Sequence, residues 1–276
     1  MKYSKKLCMS VFVALAATAS SFASANDLDR IKESGELVCG TLGVSRGFSF
    51  VDQSTRQLIG YEVDLCQKLA DGLGVKPKMK TLAVAARIPE LEQGRVDVLL
   101  AELTETPERA KVVNFSNPYF VTGAKVMVKT ASDIKNVGDL AGRKVTTTKG
   151  STMEQMLRER LPSADIISFD TTTQAFLAFV QGKGDGYCTD EISLLTSRAA
   201  LKEGAGDYTI LPQALSTERL GAGIRKTSPE MLDYVNQAFK RLEQSGEAEK
   251  MFMKWFGPGT SINFDQRTFR LDGAQS

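Results

Sequence analysis

The chain has 276 residues, of which 42% are hydrophobic and 25% are charged, with 35 Lys and Arg against 33 Asp and Glu. This composition is typical of a soluble globular protein and excludes the disordered, collagen-like and disulfide-dense classes. The sequence contains no histidine, which excludes Ser-His-Asp and Cys-His nucleophilic systems and histidine-ligated metal sites. The cysteines form no CxxC pair, so the sequence favours neither a zinc ribbon nor a thioredoxin-type site.

The N-terminus has the pattern of a cleaved signal peptide. Three lysines precede an apolar run from Leu7 to Ala17, and small residues then lead to the A-x-A sequence at Ala23–Ala25. We therefore predict removal of residues 1–25 and a periplasmic location; a retained anchor is the alternative. Cleavage leaves 32 basic and 33 acidic residues, a formal charge of −1. Such a balance predicts no nucleic-acid partner.

Three cysteines remain after cleavage. Cys39 falls in an apolar strand and Cys66 on the inner face of the next helix, whereas Cys188 falls in a strand-like run and is predicted to be in the core. The exported compartment permits a Cys39–Cys66 disulfide. Two small buried thiols are the alternative, and we favour it.

Strands alternate with helices along the rest of the chain. The predicted strands are, in order, Glu36–Thr41, Lys78–Leu82, Val96–Ala101, Gly123–Lys129, Lys144–Thr148, Ile166–Phe169 and Asp185–Thr189. The predicted helices are Glu62–Leu73, Ile88–Gln93, a helix capped by Thr106, then Ser151–Arg160, Thr172–Gln181, Glu191–Leu201 and Ser228–Gln244. This alternation predicts an α/β protein with mainly parallel sheets.

Two segments are similar in character. Gly94–Asp97 and Gly182–Asp185 each follow a helix and lead into a strand, and polar residues follow at Thr104 and Asp190. Ligands of open α/β sheets bind beyond the carboxyl ends of strands. The pattern therefore indicates either two sheets that present polar rims across a cleft or a chance similarity.

Several segments in order resemble the extracytoplasmic solute-binding proteins of polar amino-acid ABC importers, known as solute-binding protein family 3. The segments that carry the resemblance are Gly60–Leu65, Arg87–Asp97, Thr104–Arg109, Val113–Phe120, Leu140–Val145, Lys149–Thr152 and Lys254–Gly257. The combination of TPER with NFSNPYF behind it is specific, and the resemblance covers essentially the whole mature chain.

The resemblance implies a two-lobed type II periplasmic-binding-protein fold with two crossover strands as a hinge. On this chain, lobe 1 would comprise residues 26–121 and 220–264, lobe 2 residues 122–219, and a polar tail residues 265–276. It further implies a monomer, without cofactor or metal, that captures a polar amino acid and delivers it to a membrane permease. Two crossovers suit closure of the lobes around a ligand.

The resemblance also assigns the ligand's charged groups. Arg109 would clamp the carboxylate, assisted by Thr104 from the same lobe and by Ser151 and Thr152 from the other, and Asp190 would pair with the ammonium. Both ends of a zwitterion need partners because desolvation of an unpaired charge is costly. The alternatives are a surface salt bridge for Arg109 and an ordinary helix N-cap for Asp190.

Other positions indicate which ligand side chain the site favours. Family members that bind aspartate or glutamate carry an arginine at the position of Arg87, which favours acidic or amide ligands; solvation of the helix start is the alternative. Glu102 stands where Gly or Ser is common and would repel an acidic ligand, unless it pairs with Arg87 or Arg46. Phe48 packs either over the ligand or in the core.

Two other functions are weighed against transport. Cyclohexadienyl dehydratases resemble the same scaffold and need a proton donor in the cleft, for which Glu102 and Glu191 are candidates. However, the position expected for that family's acid is Ser193. A ligand-loaded partner of a chemoreceptor or sensor is the other alternative.

Overall fold

The computed structural model describes residues 26–274, so the predicted signal peptide lies outside the described residues. Within them are nine α-helices: Asp27–Ser34 (α1), Tyr61–Leu73 (α2), Arg87–Glu92 (α3), Pro107–Val112 (α4), Thr152–Arg160 (α5), Thr172–Val180 (α6), Glu191–Ala200 (α7), Pro229–Gln244 (α8) and Glu247–Phe256 (α9). None of these described helices is long and apolar enough to cross a membrane.

The strands of the same residues form three sheets. They are Glu36–Thr41 (β1), Val44–Ser45 (β2), Ser49–Val51 (β3), Leu58–Ile59 (β4), Lys76–Thr81 (β5), Val98–Leu99 (β6), Val113–Thr122 (β7), Ala124–Lys129 (β8), Lys144–Thr148 (β9), Asp165–Phe169 (β10), Gly186–Asp190 (β11), Tyr208–Ile210 (β12) and Glu218–Arg225 (β13). One five-stranded sheet has the order β5-β1-β6-β13-β7 and belongs to lobe 1. The other has the order β10-β9-β11-β8-β12 and belongs to lobe 2, and β2-β3-β4 form a small third sheet.

The two large sheets have the same mixed pairing. In each, the first two neighbour pairs are parallel and the last two are antiparallel. The two-lobed α/β fold is therefore confirmed, but the prediction of mainly parallel sheets is wrong. The antiparallel strands include β7 and β13, which the sequence analysis did not predict.

The two similar segments of the sequence occupy equivalent places in the two sheets. The Asp97 carboxylate accepts a hydrogen bond from the Val38 amide in β1, and the Asp97 amide donates to the Val38 carbonyl. Asp185 makes the same two contacts with Lys144 in β9. The similarity is therefore structural, since each aspartate fixes the entry of a central strand against its parallel neighbour.

The chain passes between the two large sheets twice. It leaves lobe 1 where β7 ends at Thr122 and β8 begins at Ala124, and it returns through β13, which begins at Glu218. At the crossing the two strands are paired, with Glu218 opposite Thr122. Both connections are short and lie side by side, which is the arrangement that permits hinge closure.

The core of lobe 1 is aromatic and includes Phe48. The Phe48 side chain is fully buried, and its ring lies 4.8 Å from that of Phe120 and 5.2 Å from that of Phe256. The C-terminal segment joins this core through Phe269 and Leu271. Burial of these apolar side chains holds the C-terminal segment, which the sequence analysis treated as a polar tail, against lobe 1.

A disulfide between Cys39 and Cys66 joins β1 to α2, with their Cα atoms 6.3 Å apart. The favoured prediction of two buried thiols is therefore wrong. The strand and the inner face of the helix pack directly, which brings the two side chains together, whereas Cys188 is a free buried cysteine as predicted.

Reduction of this disulfide is expected to lower the free energy of unfolding by about 3 kcal/mol, because the bond closes a loop of 27 residues in the unfolded chain. Urea denaturation with and without dithiothreitol measures the change. The double variant Cys39→Ala/Cys66→Ala is the control and should not respond to the reductant. An unchanged wild-type midpoint under reduction would contradict the prediction.

Candidate functional site

A cavity of about 40 Å³ lies between the two lobes. Seven of the eight predicted site residues line it: Arg87, Glu102, Thr104, Arg109, Ser151, Thr152 and Asp190. Phe48 does not, because its ring is enclosed in the core of lobe 1. At the rim, Gly150 of lobe 2 lies against Ala85 of lobe 1, so closely that a Cβ placed on Gly150 would be 3.0 Å from the Cβ of Ala85. The two lobes are therefore in contact and the cleft is closed.

Arg109 connects the two lobes across this cavity. Thr106 caps α4 by accepting a hydrogen bond from the Arg109 amide, at 3.2 Å, and Pro107 occupies the first turn, as predicted. The guanidinium donates from Nη1 to the Thr104 carbonyl and from Nη2 to the Gly150 carbonyl, at 2.9 and 3.1 Å. Burial lowers the pKa of Arg109, and nearby Glu218 opposes that shift.

The N-terminus of α5 faces the cavity from lobe 2. Ser151 is its N-cap: the hydroxyl donates to the Thr148 carbonyl and accepts from the Glu154 amide. The Thr152 hydroxyl donates to Glu218 Oε2, at 3.0 Å. Both hydroxyls therefore have protein partners, and what the helix offers to an anion is its first-turn amides.

Asp190 lies at the end of β11, on the lobe 2 side. Its Oδ1 accepts from the Ser193 amide and caps α7, and its Oδ2 accepts from the Thr189 hydroxyl at 3.3 Å. The side chain is buried, which raises its pKa. Asp190 is thus the N-cap that was given as the alternative, and its carboxylate also lines the cavity, where the role of ammonium partner stays a prediction.

Arg87 is buried and holds the backbone of lobe 1. Its Nε donates to the Val84 carbonyl at 2.9 Å, and its Nη1 donates to the carbonyls of Ala101 and Glu102, at 2.7 and 2.8 Å. Burial lowers its pKa to about 9, and the charge of Arg109 acts in the same direction. A two-pronged grip on a distal carboxylate does not fit these contacts, because only Nη2 remains for a ligand.

Glu102 adopts the left-handed backbone region, with φ of 49°, which is unusual for a residue with a Cβ. Its amide donates to Glu62 Oε1 at 2.7 Å and to the Tyr119 hydroxyl at 3.0 Å. Its carbonyl accepts from Arg87. Buried side chains thus fix both backbone groups, and this support holds the residue in its strained conformation.

Glu62 is the centre of a buried network that the sequence analysis did not identify. Its Oε1 accepts from the Tyr119 hydroxyl at 2.6 Å, and its Oε2 accepts from the hydroxyls of Thr41 and Ser49. Burial raises the pKa of Glu62, and the hydrogen bonds it accepts oppose the shift. Glu62 and Tyr119 lie in two of the segments that carry the family resemblance, which was the available signal.

Other residues that line the cavity were not among the predicted site residues. Glu218 lies at the crossing strand β13 and accepts from the hydroxyls of Ser216 and Thr152. Thr122 ends the other crossing strand, and Leu42 and Val84 supply apolar surface. The described residues contain no cluster of His, Cys, Asp or Glu that is suited to hold a metal ion.

The chain matches the model of the bacterial extracellular solute-binding proteins, family 3, over residues 37–258. It belongs to this family. The family's members are extracytoplasmic, and its solute-binding function matches a closed polar cavity between two lobes.

Several similar proteins agree with this placement. The ABC transporter glutamine-binding protein GlnH of Bacillus subtilis is 31% identical over 86% of this chain and 87% of its own length. A variant of ArgBP from T. maritima has a TM-score of 0.77 at 31% identity, over 83% of this chain and 98% of that one. The ancestral amino acid-binding protein AncCDT-1, a precursor of cyclohexadienyl dehydratase, has a TM-score of 0.75 at 35% identity, over 83% and 99%.

The Glu102→Gln variant is expected to be more stable than the wild type at pH 7.5 and equally stable at pH 4.5. Burial and the nearby carboxylates of Asp190 and Glu62 raise the pKa of Glu102 well above its usual range. The charge of Arg87 opposes this shift. An acid with a raised folded-state pKa stabilises the fold when protonated and loses that stability as pH rises through the raised value. The gain at pH 7.5 should be at most about 4 kcal/mol, because each pH unit between the unfolded-state pKa of about 4.3 and pH 7.5 contributes at most about 1.4 kcal/mol.

Urea denaturation of both proteins at both pH values measures this difference. The exposed neighbour Glu105 provides the control variant Glu105→Gln, which should match the wild type at each pH. A Glu102→Gln variant that is less stable than the wild type at pH 7.5 would contradict the account.

Proposed function

We propose that this chain captures a polar α-amino acid between its two lobes and delivers it to an ABC-type membrane permease. The observation that carries the proposal is the pair Arg109 and Asp190, a cation from lobe 1 and an anion from lobe 2 that line one closed cavity. Their opposite charges match the two ends of a zwitterion, whose burial is favourable only when each end is paired.

The ligand carboxylate binds to the Arg109 guanidinium and to the first-turn amides of α5. Arginine suits this role because its planar guanidinium forms two parallel bonds to a carboxylate. The helix N-terminus adds a favourable dipole from the opposite lobe. Because the two groups come from different lobes, the carboxylate supplies the free energy that keeps the cleft closed, and ligand binding is coupled to closure.

The ligand ammonium binds to the Asp190 carboxylate, and Thr104 completes the site from lobe 1. Asp190 is oriented by the Ser193 amide and the Thr189 hydroxyl, so it presents a fixed acceptor. We further propose that the mature chain begins after residue 25, works as a monomer in the periplasm and has lobe boundaries near residues 121 and 220.

We propose binding rather than turnover. The match to AncCDT-1 raises the alternative of a dehydratase, and among the described acids that line the cavity Glu102 is the one with a buried oxygen that lacks a protein partner. However, the position expected for the dehydratase acid is Ser193, which has no carboxyl group and donates its amide to Asp190. An assay with prephenate and arogenate tests this, and product formation would contradict the proposal.

Arg109→Ala is expected to weaken amino-acid binding by at least about 30-fold, because removal of one member of a buried charge pair costs about 2–5 kcal/mol. Calorimetric titration with the amino acid that gives the largest thermal shift in the wild type measures the change. Lys111→Ala, an exposed change on the same helix, is the control and should bind as the wild type does. Wild-type affinity in Arg109→Ala would refute the assignment.

A further inference from the structure

Two of the described buried polar atoms that lack a partner belong to residues that line the cavity, and a third lies beside one of them. Among the described residues, three buried side-chain atoms have no hydrogen-bond partner: Ser45 Oγ, Glu102 Oε1 and Thr122 Oγ1. Glu102 and Thr122 line the cavity, and the Ser45 hydroxyl lies beside the Glu102 carboxyl but outside hydrogen-bonding geometry. Since buried polar groups are rarely left unpaired, this cluster indicates an absent hydrogen-bonding partner.

Glu102 stands out among the charged residues that line the cavity. Arg87 donates to three backbone carbonyls, and Glu218 accepts from two hydroxyls. Arg109 and Asp190 are matched by the two ends of the zwitterion. Among the described residues the Glu102 Oε1 atom has no hydrogen-bond partner, and the backbone of Glu102 is held from both sides. The bonds to the backbone therefore fix the position from which the side chain extends.

The balance of charge in the cavity favours a cation. Two arginines face three carboxylates, those of Glu102, Asp190 and Glu218, and Glu62 adds a fourth directly behind. A zwitterion brings no net charge and leaves the excess of negative charge in place. A ligand side chain with a positive charge offsets it, whereas an acidic side chain adds repulsion at short range and low dielectric.

An apolar surface lies next to Glu102. Leu42, Val84 and Ala101 form a small buried cluster, and Leu42 and Val84 line both the cavity and a larger outer pocket of about 380 Å³. Basic amino acids carry an aliphatic stem below a charged head, and such stems pack along apolar surface while the head seeks a polar partner. The surroundings of Glu102 therefore fit both parts of a basic side chain.

We propose that Glu102 is a specificity-determining residue that accepts a hydrogen bond from a positively charged group on the ligand side chain, so that the protein selects basic amino acids. This inference rests on the proposed function. It reverses the preference for acidic or amide ligands that Arg87 indicated in the sequence, because the Arg87 guanidinium is bound to the backbone.

Arginine and citrulline test the proposal because they have nearly the same shape and differ in the charge of the side-chain head. We expect the wild type to bind arginine at least 10-fold more tightly than citrulline in calorimetric titrations at pH 7.5. In Glu102→Gln, which keeps the shape and removes the charge, the ratio should fall to within about 3-fold. Glu105→Gln is the matched control and should keep the wild-type ratio.

Proton uptake gives a second readout. Closure around citrulline leaves Glu102 buried without a cation, which raises its pKa and draws in a proton, whereas closure around arginine does not. Titrations in two buffers of different ionisation enthalpy detect this uptake. It should appear with citrulline in the wild type and be absent in Glu102→Gln.

The outcomes separate the two proposals. Wild-type protein that binds citrulline, glutamine or glutamate as tightly as arginine overturns the role of Glu102 and leaves amino-acid capture intact. An unchanged arginine-to-citrulline ratio in Glu102→Gln does the same. Wild-type protein that binds another amino acid but none of these ligands overturns the inference alone, and protein that binds no amino acid overturns the proposed function and this inference with it.

Discussion

The rest of the site depends on the hydrogen bonds of the Arg109 guanidinium. It donates to Thr104 in lobe 1 and to Gly150 in lobe 2, so one side chain is bonded to both walls of the cleft. The stability of the closed form therefore depends on the hydrogen bonds that Arg109 makes to both lobes. A ligand carboxylate that joins Arg109 and the N-terminus of α5 strengthens the same bridge. A carboxylate without such partners would lose its hydration without forming compensating hydrogen bonds, so its burial would be unfavourable.

A second constraint acts from behind the cavity. The Glu62 carboxylate receives bonds from Tyr119, Thr41, Ser49 and the Glu102 amide, and it ties α2, β7, β1 and β3 to the turn that carries Glu102. Arg87 holds the other side of that turn. A buried polar network destabilises the fold little when each of its groups has a hydrogen-bond partner. Removal of one member leaves other buried groups unpaired and lowers the stability strongly. It explains how a non-glycine residue stays in the left-handed region at the edge of the cavity.

Much of the fold could be predicted from the sequence, because local patterns specify it. The run Lys144–Thr148 is a buried strand with the predicted bounds, and Thr106 caps the helix that it was expected to cap. Ser151, predicted as the first residue of the next helix, is its N-cap. The family resemblance implied the two crossing strands, but the local patterns missed them, because Val113–Thr122 mixes Asn, Ser and Pro with apolar residues and pairs with a strand about 100 residues away. The site was predicted as a set of residues, but the commitment of Arg87 to carbonyls and the support of Glu102 by Glu62 depend on contacts that no spacing encodes.

The central claim, that a ligand is held between two lobes and closes them, is tested most directly by a distance measured across the cleft. Spin labels on cysteines introduced at the exposed positions Gln53 in lobe 1 and Ala199 in lobe 2, with Cys188 replaced by Ala, report that distance by pulsed electron paramagnetic resonance. Saturating amino acid, with arginine and glutamine tested separately, should shorten and narrow the distribution, and the same protein with Arg109→Ala should not respond. Identical distributions with and without an amino acid that calorimetry shows to bind would contradict the account.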